Sequence, residues 1–399
     1  MKKRIHLIIL LFVVGFSFPV QSQSFYSAKG IGLVDYFVSG RSEGMGGVGL
    51  ALVDRMTLNY MNPAALAELP LAYISGNLIH QGVDLSGSVQ DATLSNTSVG
   101  GLQFSIPLKS GRVSLAVGLQ PFSTIEYEFS DANVLGDQAF TEIVNGDGGV
   151  DSAFMTFAVK PTKRLYVGIT GIYHFGVLRN KWRVLFDSAN FRNTQDEVSR
   201  SFTEGNFRLG LIYKLKSNWT IGGVYSPSVT LDTKEALELE NGFRLTDLAN
   251  KEFKLPVTYG FGTSFLVDER LLLGLDYYTE KWSSVKQNGY VNDSYRIAFG
   301  LEYAAKRKLH SSFFKKVALR AGVYYRDIGL EQPLGERVTE LFGTLGLGLP
   351  IKWSAGRLDL ALEFGKRGST PDNPIKETIV KFTGTITAGQ KWFFRGVKR

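Results

Sequence analysis

The side chains that most often carry enzymatic chemistry are sparse in this chain. Among its 399 residues there are four histidines, His6, His80, His174 and His310, and no cysteine. No two of the histidines have the spacing of a metal site, and a chain without cysteine has neither thiolate chemistry nor disulfides. His174 is predicted to face inward on a strand, where it could join a serine or an aspartate, but a hydrogen-bonded structural histidine is the commoner case. We therefore predict no enzymatic activity, no metal and no cofactor.

A glycine-rich stretch near the N-terminus is the next candidate for binding chemistry. Gly44, Gly46, Gly47 and Gly49 permit positive φ angles and close backbone approach. A phosphate-binding loop would use such glycines, but it also needs a Gly-Lys-Ser/Thr ending and a preceding buried strand, which this stretch lacks. Nucleotide binding is therefore disfavoured.

A helix start follows the glycine-rich stretch. Asn62 is a good N-cap, and Pro63 suits the first helical turn ahead of Ala64. We predict a short helix over 63–68. No strand pair is predicted in 23–70.

Charged residues interrupt several segments at alternate positions. If these segments form a barrel around a plug, charges of both signs favour salt bridges between the plug and the barrel wall. An ion-selective ring would instead have charges of one sign. The predicted lumen charges are Arg208, Asp276, Arg296, Glu302, Arg320, Asp359, Glu363 and Lys381.

The segments that would position these residues show a period of two. In Leu358–Gly365 every second residue is large and apolar, and 257–265, 295–303 and 317–325 repeat the pattern. Alternation places the two sets on opposite faces of a sheet. The interleaved positions are mostly Gly, Ala, Ser and Thr with scattered charges, and 44 glycines and 28 phenylalanines disfavour helix. Small or polar residues toward a lumen and apolar residues toward lipid are typical of membrane β-barrels.

We predict an all-β fold, a transmembrane antiparallel β-barrel of about 14 strands. The strands are expected near 71–82, 97–108, 113–129, 150–160, 165–186, 198–215, 219–230, 252–266, 271–282, 293–304, 316–327, 337–349, 357–366 and 376–394. Short turns are expected at 109–112, 161–164, 216–218 and 267–270, and long loops at 130–149 and 231–251. Outer-membrane barrels have short periplasmic turns and long external loops.

Closure of the barrel has a physical reason. An unpaired backbone donor or acceptor in hydrocarbon costs several kcal/mol, so an open sheet edge is not tolerated. The last strand, 376–394, should therefore pair with the first, 71–82. An even number of strands brings the C-terminus back to the periplasmic side.

The first residues have the pattern of a targeting segment. A basic head at 2–4, an apolar run from 5 to about 20 and a small-residue end predict a signal peptide over 1–22. The predicted domains are then 1–22, a plug segment over 23–70 and the barrel over 71–399. We expect the mature chain in the bacterial outer membrane, in contact with its lipid, with both termini periplasmic. The basic residues of 305–316 and of the last eleven positions are interpreted as periplasmic, and no nucleic acid is expected as a partner.

The stretch Gly44–Ala51, the following Asp54 and the run Asn62–Ala67 resemble the hatch segment of the long-chain fatty acid transporter family, also named for FadL and TodX. The resemblance implies a hatch ahead of fourteen strands and passive uptake of a hydrophobic small molecule. It also implies a sideways exit at a kink in the third strand, where this chain has Pro121. A proline removes a ladder donor, but near the outer end of a strand it would be harmless, and both interpretations stay open.

Related barrels share this N-terminal signature, among them the PorV and PorQ proteins of type IX secretion. A second function is therefore possible, a non-transporting barrel that serves as a scaffold or shuttle for secreted proteins. Uptake predicts an apolar pocket and an opening to lipid. A scaffold predicts a sealed wall and binding to protein partners, such as secretion machinery.

Overall fold

A computed structural model describes residues 24–87, 91–188, 190–240, 243–246, 252–285, 290–304, 317–331, 337–351, 355–368 and 375–392. The predicted signal peptide, both chain termini and the basic stretch 305–316 lie outside the described residues, as does the prediction that both termini are periplasmic. Across the described residues, no helix is both long and apolar enough to cross a membrane.

Short elements precede the barrel. They are a 3-10 helix at Phe25–Ala28, strand β1 at Leu33–Val34, helix α1 at Gly40–Glu43 and a 3-10 helix at Pro63–Glu68. We call residues 24–71 the lumen segment, because its side chains lie against the inward-facing residues of the sheet.

The remaining strands build the wall and one outer extension. They are β2 Ala72–Gly87, β3 Ala92–Lys109, β4 Val113–Leu135, β5 Gln138–Val159, β6 Leu165–Phe186, β7 Thr194–Lys216, β8 Trp219–Ser226, β9 Val229–Glu238, β10 Arg244–Thr246, β11 Phe253–Leu255, β12 Thr258–Leu266, β13 Leu271–Glu280, β14 Ser294–Ala304, β15 Ala318–Glu331, β16 Arg337–Ile351, β17 Gly356–Arg367 and β18 Ile375–Gln390. A short 3-10 helix, Trp282–Ser284, follows β13.

The sheet closes into an antiparallel barrel of fourteen strands, as predicted. Strands β2 to β8 and β12 to β18 pair in chain order, and β8 joins β12 directly. The last strand pairs with the first along its whole length, from Ile375 opposite Gly87 to Gln390 opposite Ala72. Closure leaves no strand of the ring without neighbours on both sides, which membrane insertion requires.

The predicted alternation is clearest in wall strands such as β6, β14 and β16. In β14, Ile297 and Phe299 are 45% and 42% exposed, whereas Ala298 between them is 1% exposed. The exposed apolar set forms the outer face, and the buried small and polar set faces inward. This is the pattern of a lipid-facing exterior around a filled interior.

Two predicted strands are broken by proline. The strand expected at 219–230 is divided into β8 and β9 around Pro227, and that at 252–266 into β11 and β12 around Pro256. Proline has no backbone N–H for the ladder. At the first break the chain leaves the ring, so that β9 pairs with the outer half of β7 and continues into β10 and β11.

The prediction of a long loop at 130–149 is wrong. Strands β4 and β5 continue through this region and stay paired from Ser123 opposite Val150 to Leu135 opposite Gln138. A tight turn joins them at Gly136, whose φ is +64°. Polar and acidic residues hide the alternation in this hairpin, because neither of its faces is uniformly apolar. The region 231–251 also contains strand, in β9 and β10.

The lumen segment runs from one end of the barrel to the other. The N–H of Ser24 donates to Glu126 O (3.3 Å), far along β4, whereas the N–H of Gly111, in the short β3–β4 turn, donates to Leu69 O (3.1 Å). An apolar cluster that includes Ile31, Phe202 and Leu231 packs around the first part of the segment. A second cluster, with Leu66 and Ile212, surrounds its last part.

Candidate functional site

Six charges, five of them buried and one (Asp54) half-buried, form a closed ring inside the barrel. Arg41 donates to both carboxylate oxygens of Glu302, at 2.8 and 2.6 Å, and lies 3.5 Å from Asp54. Arg320 bridges Glu302 and Asp359, at 2.7 Å to each. We call this set, completed by Arg357 of β17, the charge ring.

The last member closes the ring between wall and lumen segment. Arg357 donates to Asp359 at 2.7 Å, to Asp54 at 3.0 Å and to Thr57 Oγ1 at 2.8 Å. Burial opposes ionisation of Asp54, but the guanidinium groups of Arg357 and then Arg41 hold the pKa of this carboxyl well below its usual range. Three arginines and three carboxylates alternate, so the charge ring is neutral as a whole. It binds the lumen segment to β14, β15 and β17.

Five of the predicted lumen charges lie outside the charge ring. Asp276 of β13 accepts from the backbone N–H groups of Gly49 and Leu50, at 2.6 and 2.8 Å. Arg296 of β14 is held between two aromatic rings, 4.2 Å from the centroid of Tyr36 and 4.0 Å from that of Tyr324.

The other three are Arg208, Lys381 and Glu363. Arg208 of β7 donates to Ser226 Oγ at 3.2 Å. Lys381 of β18 lies 2.7 Å from a Glu363 oxygen and 3.5 Å from Glu43, which belongs to the lumen segment. Glu302, Arg320 and Asp359 of the charge ring were also predicted from sequence. All eight predicted lumen charges therefore face the interior.

The predicted glycines allow the lumen segment to touch the wall. Gly46 and Gly47 have φ of +65° and +72°, which favours glycine. A Cβ on Gly44 would come within 2.7 Å of Gly346 Cα of the wall, whereas one on Gly49 would collide with Val38 of the lumen segment itself.

The wall supplies matching glycines. A Cβ on Gly300 or Gly322 would collide with the backbone of Met45 or Gly46, and one on Gly262 would come within 2.8 Å of Leu50 Cβ. The two backbones can approach this closely only because both sides lack side chains there. A sequence pattern of inward glycines therefore marks where the lumen segment lies.

The predicted helix start is confirmed in detail. The side chain of Asn62 accepts from the N–H of Ala64 at 3.1 Å and donates to Leu50 O at 2.6 Å. Pro63 opens a short helix of the 3-10 type, Pro63–Glu68. A Cβ on Gly168 of β6 would collide with the Pro63 backbone. This end of the lumen segment is thus fixed by a cap and by close packing.

A second ion-pair group was not predicted. Arg367 of β17 donates to Glu340 at 2.6 Å, to Glu377 at 2.9 Å and to Ser24 Oγ at 3.1 Å. The N–H of Phe25 also donates to Glu377, at 2.9 Å. These contacts fix the start of the lumen segment to the wall.

Sequence reasoning also missed Arg41, Glu43 and Arg357, and it singled out Asp54 only as part of the hatch resemblance. Arg357 and Arg367 occupy the same inward parity as Asp359 and Glu363, which was the available signal. The lumen segment has no period of two, so nothing in its sequence indicates where its charges point.

The wall is split between β3 and β4. Their pairing stops at Leu102 opposite Leu119, although β3 begins ten residues earlier and β4 continues to Leu135. Beyond this point β1 of the lumen segment pairs with β4, at Leu33 opposite Thr124 and Val34 opposite Ser123. The β4–β5 register shifts between Pro121 and Ser123. Pro121 therefore lies at a bulge beside the split, and its role as a lateral gate stays a prediction.

A cavity of about 160 Å³ lies behind this split. It extends from Ser98 and Pro121 at the wall to the lumen segment. Its lining is mixed, and the charged members are Asp35, Glu43, Arg296, Arg326, Glu340, Glu363, Arg367 and Lys381. Four acids and four bases balance each other.

His174 joins a serine, one of the two partners considered above. His174 is buried, with Nδ1 3.0 Å from Ser152 Oγ and its ring 4.7 Å from that of Phe122. This is the environment of a structural histidine. Within the described part of the chain, no group of three or more His, Cys, Asp or Glu side chains could hold a metal ion.

A closed fourteen-stranded barrel with an apolar exterior and a charged interior defines this chain as a transmembrane β-barrel protein. It belongs to the BamG family, whose model matches residues 1–397. No curated protein sequence is detectably similar to it.

Solved structures share its fold. A FadL homologue of Pseudomonas aeruginosa superposes with a TM-score of 0.63 at 12% identity, over 90% of this chain and 99% of the other. The toluene transporter TodX of Pseudomonas putida gives 0.60 at 16% identity, over 90% and 99%. The toluene transporter TbuX of Ralstonia pickettii gives 0.59 at 17% identity, over 89% and 98%. The predicted resemblance to FadL-type barrels is confirmed at the level of the fold, and that to PorV and PorQ stays a prediction.

Proposed function

We propose that this chain is an outer-membrane barrel, plugged by its lumen segment and closed to solutes, which acts as a protein-binding scaffold. The charge ring is the observation that carries the proposal. Arg41 and Asp54 of the segment are each bound to wall charges of opposite sign. Ion-conducting pores instead present charges of one sign to water. A neutral, internally paired ring offers no such path.

The cavity behind the wall split supports the same proposal. Pockets for small molecules usually have volumes of roughly 300–1,000 Å³ with mostly apolar walls. The cavity here has about 160 Å³ and eight charged side chains in its lining. An alkyl chain would have to displace or desolvate those charges, which is unfavourable.

Isolation from cells tests the scaffold. The full chain, cross-linked in intact outer membranes and purified in mild detergent, should carry a protein partner at a fixed stoichiometry. Cells that lack the chain should take up oleate and toluene at the parental rate. A chain that is recovered alone, together with slower uptake in its absence, would contradict the proposal.

A second candidate function is lateral uptake of a small hydrophobic molecule. The split between β3 and β4 supports it, because the cavity extends to that split beside Pro121. The similar structures include barrels described as toluene transporters. In this case Pro121→Ala should slow entry of toluene into cells. An unchanged rate with a correctly assembled barrel would remove the support for this candidate.

A further inference from the structure

Three neighbouring turns at the end of the barrel where β2 begins carry a concentration of positive charge. The stretches 109–112, 160–164 and 214–218 hold seven basic residues and no acidic one. We call these seven the basic rim: Lys109, Arg112, Lys160, Lys163, Arg164, Lys214 and Lys216.

The turns form one continuous surface. The N–H of Lys160 donates to Arg112 O at 2.7 Å, and the N–H of Lys214 donates to Arg164 O at 2.8 Å. Each turn is therefore hydrogen-bonded to the next one along the rim. The basic rim covers the arc from β3 to β8.

Few of these charges are compensated. Lys160 is paired with Glu68 of the lumen segment, at 2.6 Å. Of the other six, none has an acidic side chain within 4.0 Å among the residues that the structure describes. Lys109, Arg112, Lys163, Arg164 and Lys216 are exposed. These five exposed positive charges on one arc attract an acidic surface and accelerate its association.

The direction of the side chains separates two kinds of partner. Lys160 and Lys214 follow the inward-facing Ala158 and Ile212 by two residues, and their amino groups lie 4.9 and 5.0 Å from the ring centroid of buried Tyr166. The outward positions beside Lys214 hold apolar side chains, such as Tyr213. The basic rim therefore lines one side of the mouth of the barrel, and Lys160 and Lys214 point toward the lumen and not into the lipid. This position favours a protein in the aqueous phase over lipid headgroups.

The geometry points to the basic rim as the docking surface for an acidic segment of a partner protein. This inference rests on the proposed scaffold function and names the chemistry of its partner. Carboxylates of such a segment would pair with the guanidinium groups of Arg112 and Arg164, which can bind them in a bidentate manner.

Binding of a short polyglutamate peptide to the full chain in zwitterionic nanodiscs tests the inference. The wild-type chain should bind the peptide, and raising the salt to about 0.5 M should abolish binding because screening then acts over a few Å. Arg112→Glu combined with Arg164→Glu should weaken binding about tenfold or more. Lys234→Glu with Arg244→Glu is the matched control, because it exchanges two exposed basic residues of β9 and β10 for acids. It should bind like the wild type.

Other outcomes overturn the inference. Equal losses in both variants would indicate an effect of net charge alone. Binding to vesicles that contain phosphatidylglycerol, lost in the rim variant, together with no binding of polyglutamate, would assign the surface to lipid. A chain that binds no polyglutamate but still carries a protein partner and conducts no ions would refute the docking surface and leave the scaffold intact.

Discussion

Breaking the charge ring should release the lumen segment from the wall. Arg41→Met removes the cation that joins Glu302 to Asp54, and Glu302→Gln removes the wall acid that Arg41 contacts most closely. Each single change leaves the charge ring with a net charge of one unit in a buried site. The double variant removes one charge of each sign, so two positive and two negative charges remain.

The expected magnitudes follow from this balance. Breaking a buried ion pair by removing one partner costs about 3–5 kcal/mol. Here each partner left behind keeps a second contact, Glu302 to Arg320 and Asp54 to Arg357. We therefore expect the lower end, about 3 kcal/mol for each single change, which raises the population of the undocked segment roughly 100-fold. The double variant should cost less than the sum of the two, by about 2 kcal/mol.

Hydrogen exchange of the full chain in detergent, read by mass spectrometry, measures this population. Peptides that cover 39–50 should lose about 100-fold of their protection in either single variant, while peptides of β5 and β6 keep theirs. If the free-energy costs of the two single changes are additive in the double variant, Arg41 and Glu302 do not interact. Unchanged protection of 39–50 would mean that the charge ring does not hold the lumen segment.

Three further changes test the packing around the lumen segment. Gly300→Ala should destabilise the barrel by about 1–3 kcal/mol in urea titrations, because its Cβ would collide with Met45, whereas Gly171→Ala, in open space, should not. Asn62→Ala should cost about 1–2 kcal/mol by loss of the N-cap and of its bond to the segment, and a change below 0.5 kcal/mol in the same titration would contradict this role. Burial, and then a neighbouring carboxylate, raise the pKa of Glu43 from 4.5 to about 7. The folded chain therefore binds a proton at Glu43 more tightly than the unfolded chain does, and the free energy of unfolding should fall as pH rises from about 4.5 to 7. Glu43→Gln should flatten this slope in urea titrations at a series of pH values.

The wall could be predicted from sequence because alternation is a local property. A strand that crosses the apolar zone has its own period of two, as in Leu358–Gly365, and the parity that buries Ala298 also turns Arg296 and Glu302 inward. The N-cap at Asn62 is equally local. Partner choice is not local. Nothing in the sequence near Arg320 indicates that it bridges Glu302 and Asp359, since this depends on the register of three strands.

The strand ends and the lumen segment were harder to predict for a related reason. Strands β4 and β5 continue past the apolar zone, where no lipid or core imposes a pattern on their side chains. The split beside Gly101 and Pro121 depends on β1 of the lumen segment, which takes the place of β3 along β4. Such a replacement can be recognised only when both parts are placed together.

The conductance of the purified full chain in planar bilayers tests most directly whether the barrel is closed. The full chain should produce no steady ionic current, and a variant that lacks residues 24–70 but still assembles should produce large, open-channel currents. A steady current through the intact chain, or an equally silent barrel after removal of the segment, would contradict the proposal that the lumen segment and its charge ring close the barrel.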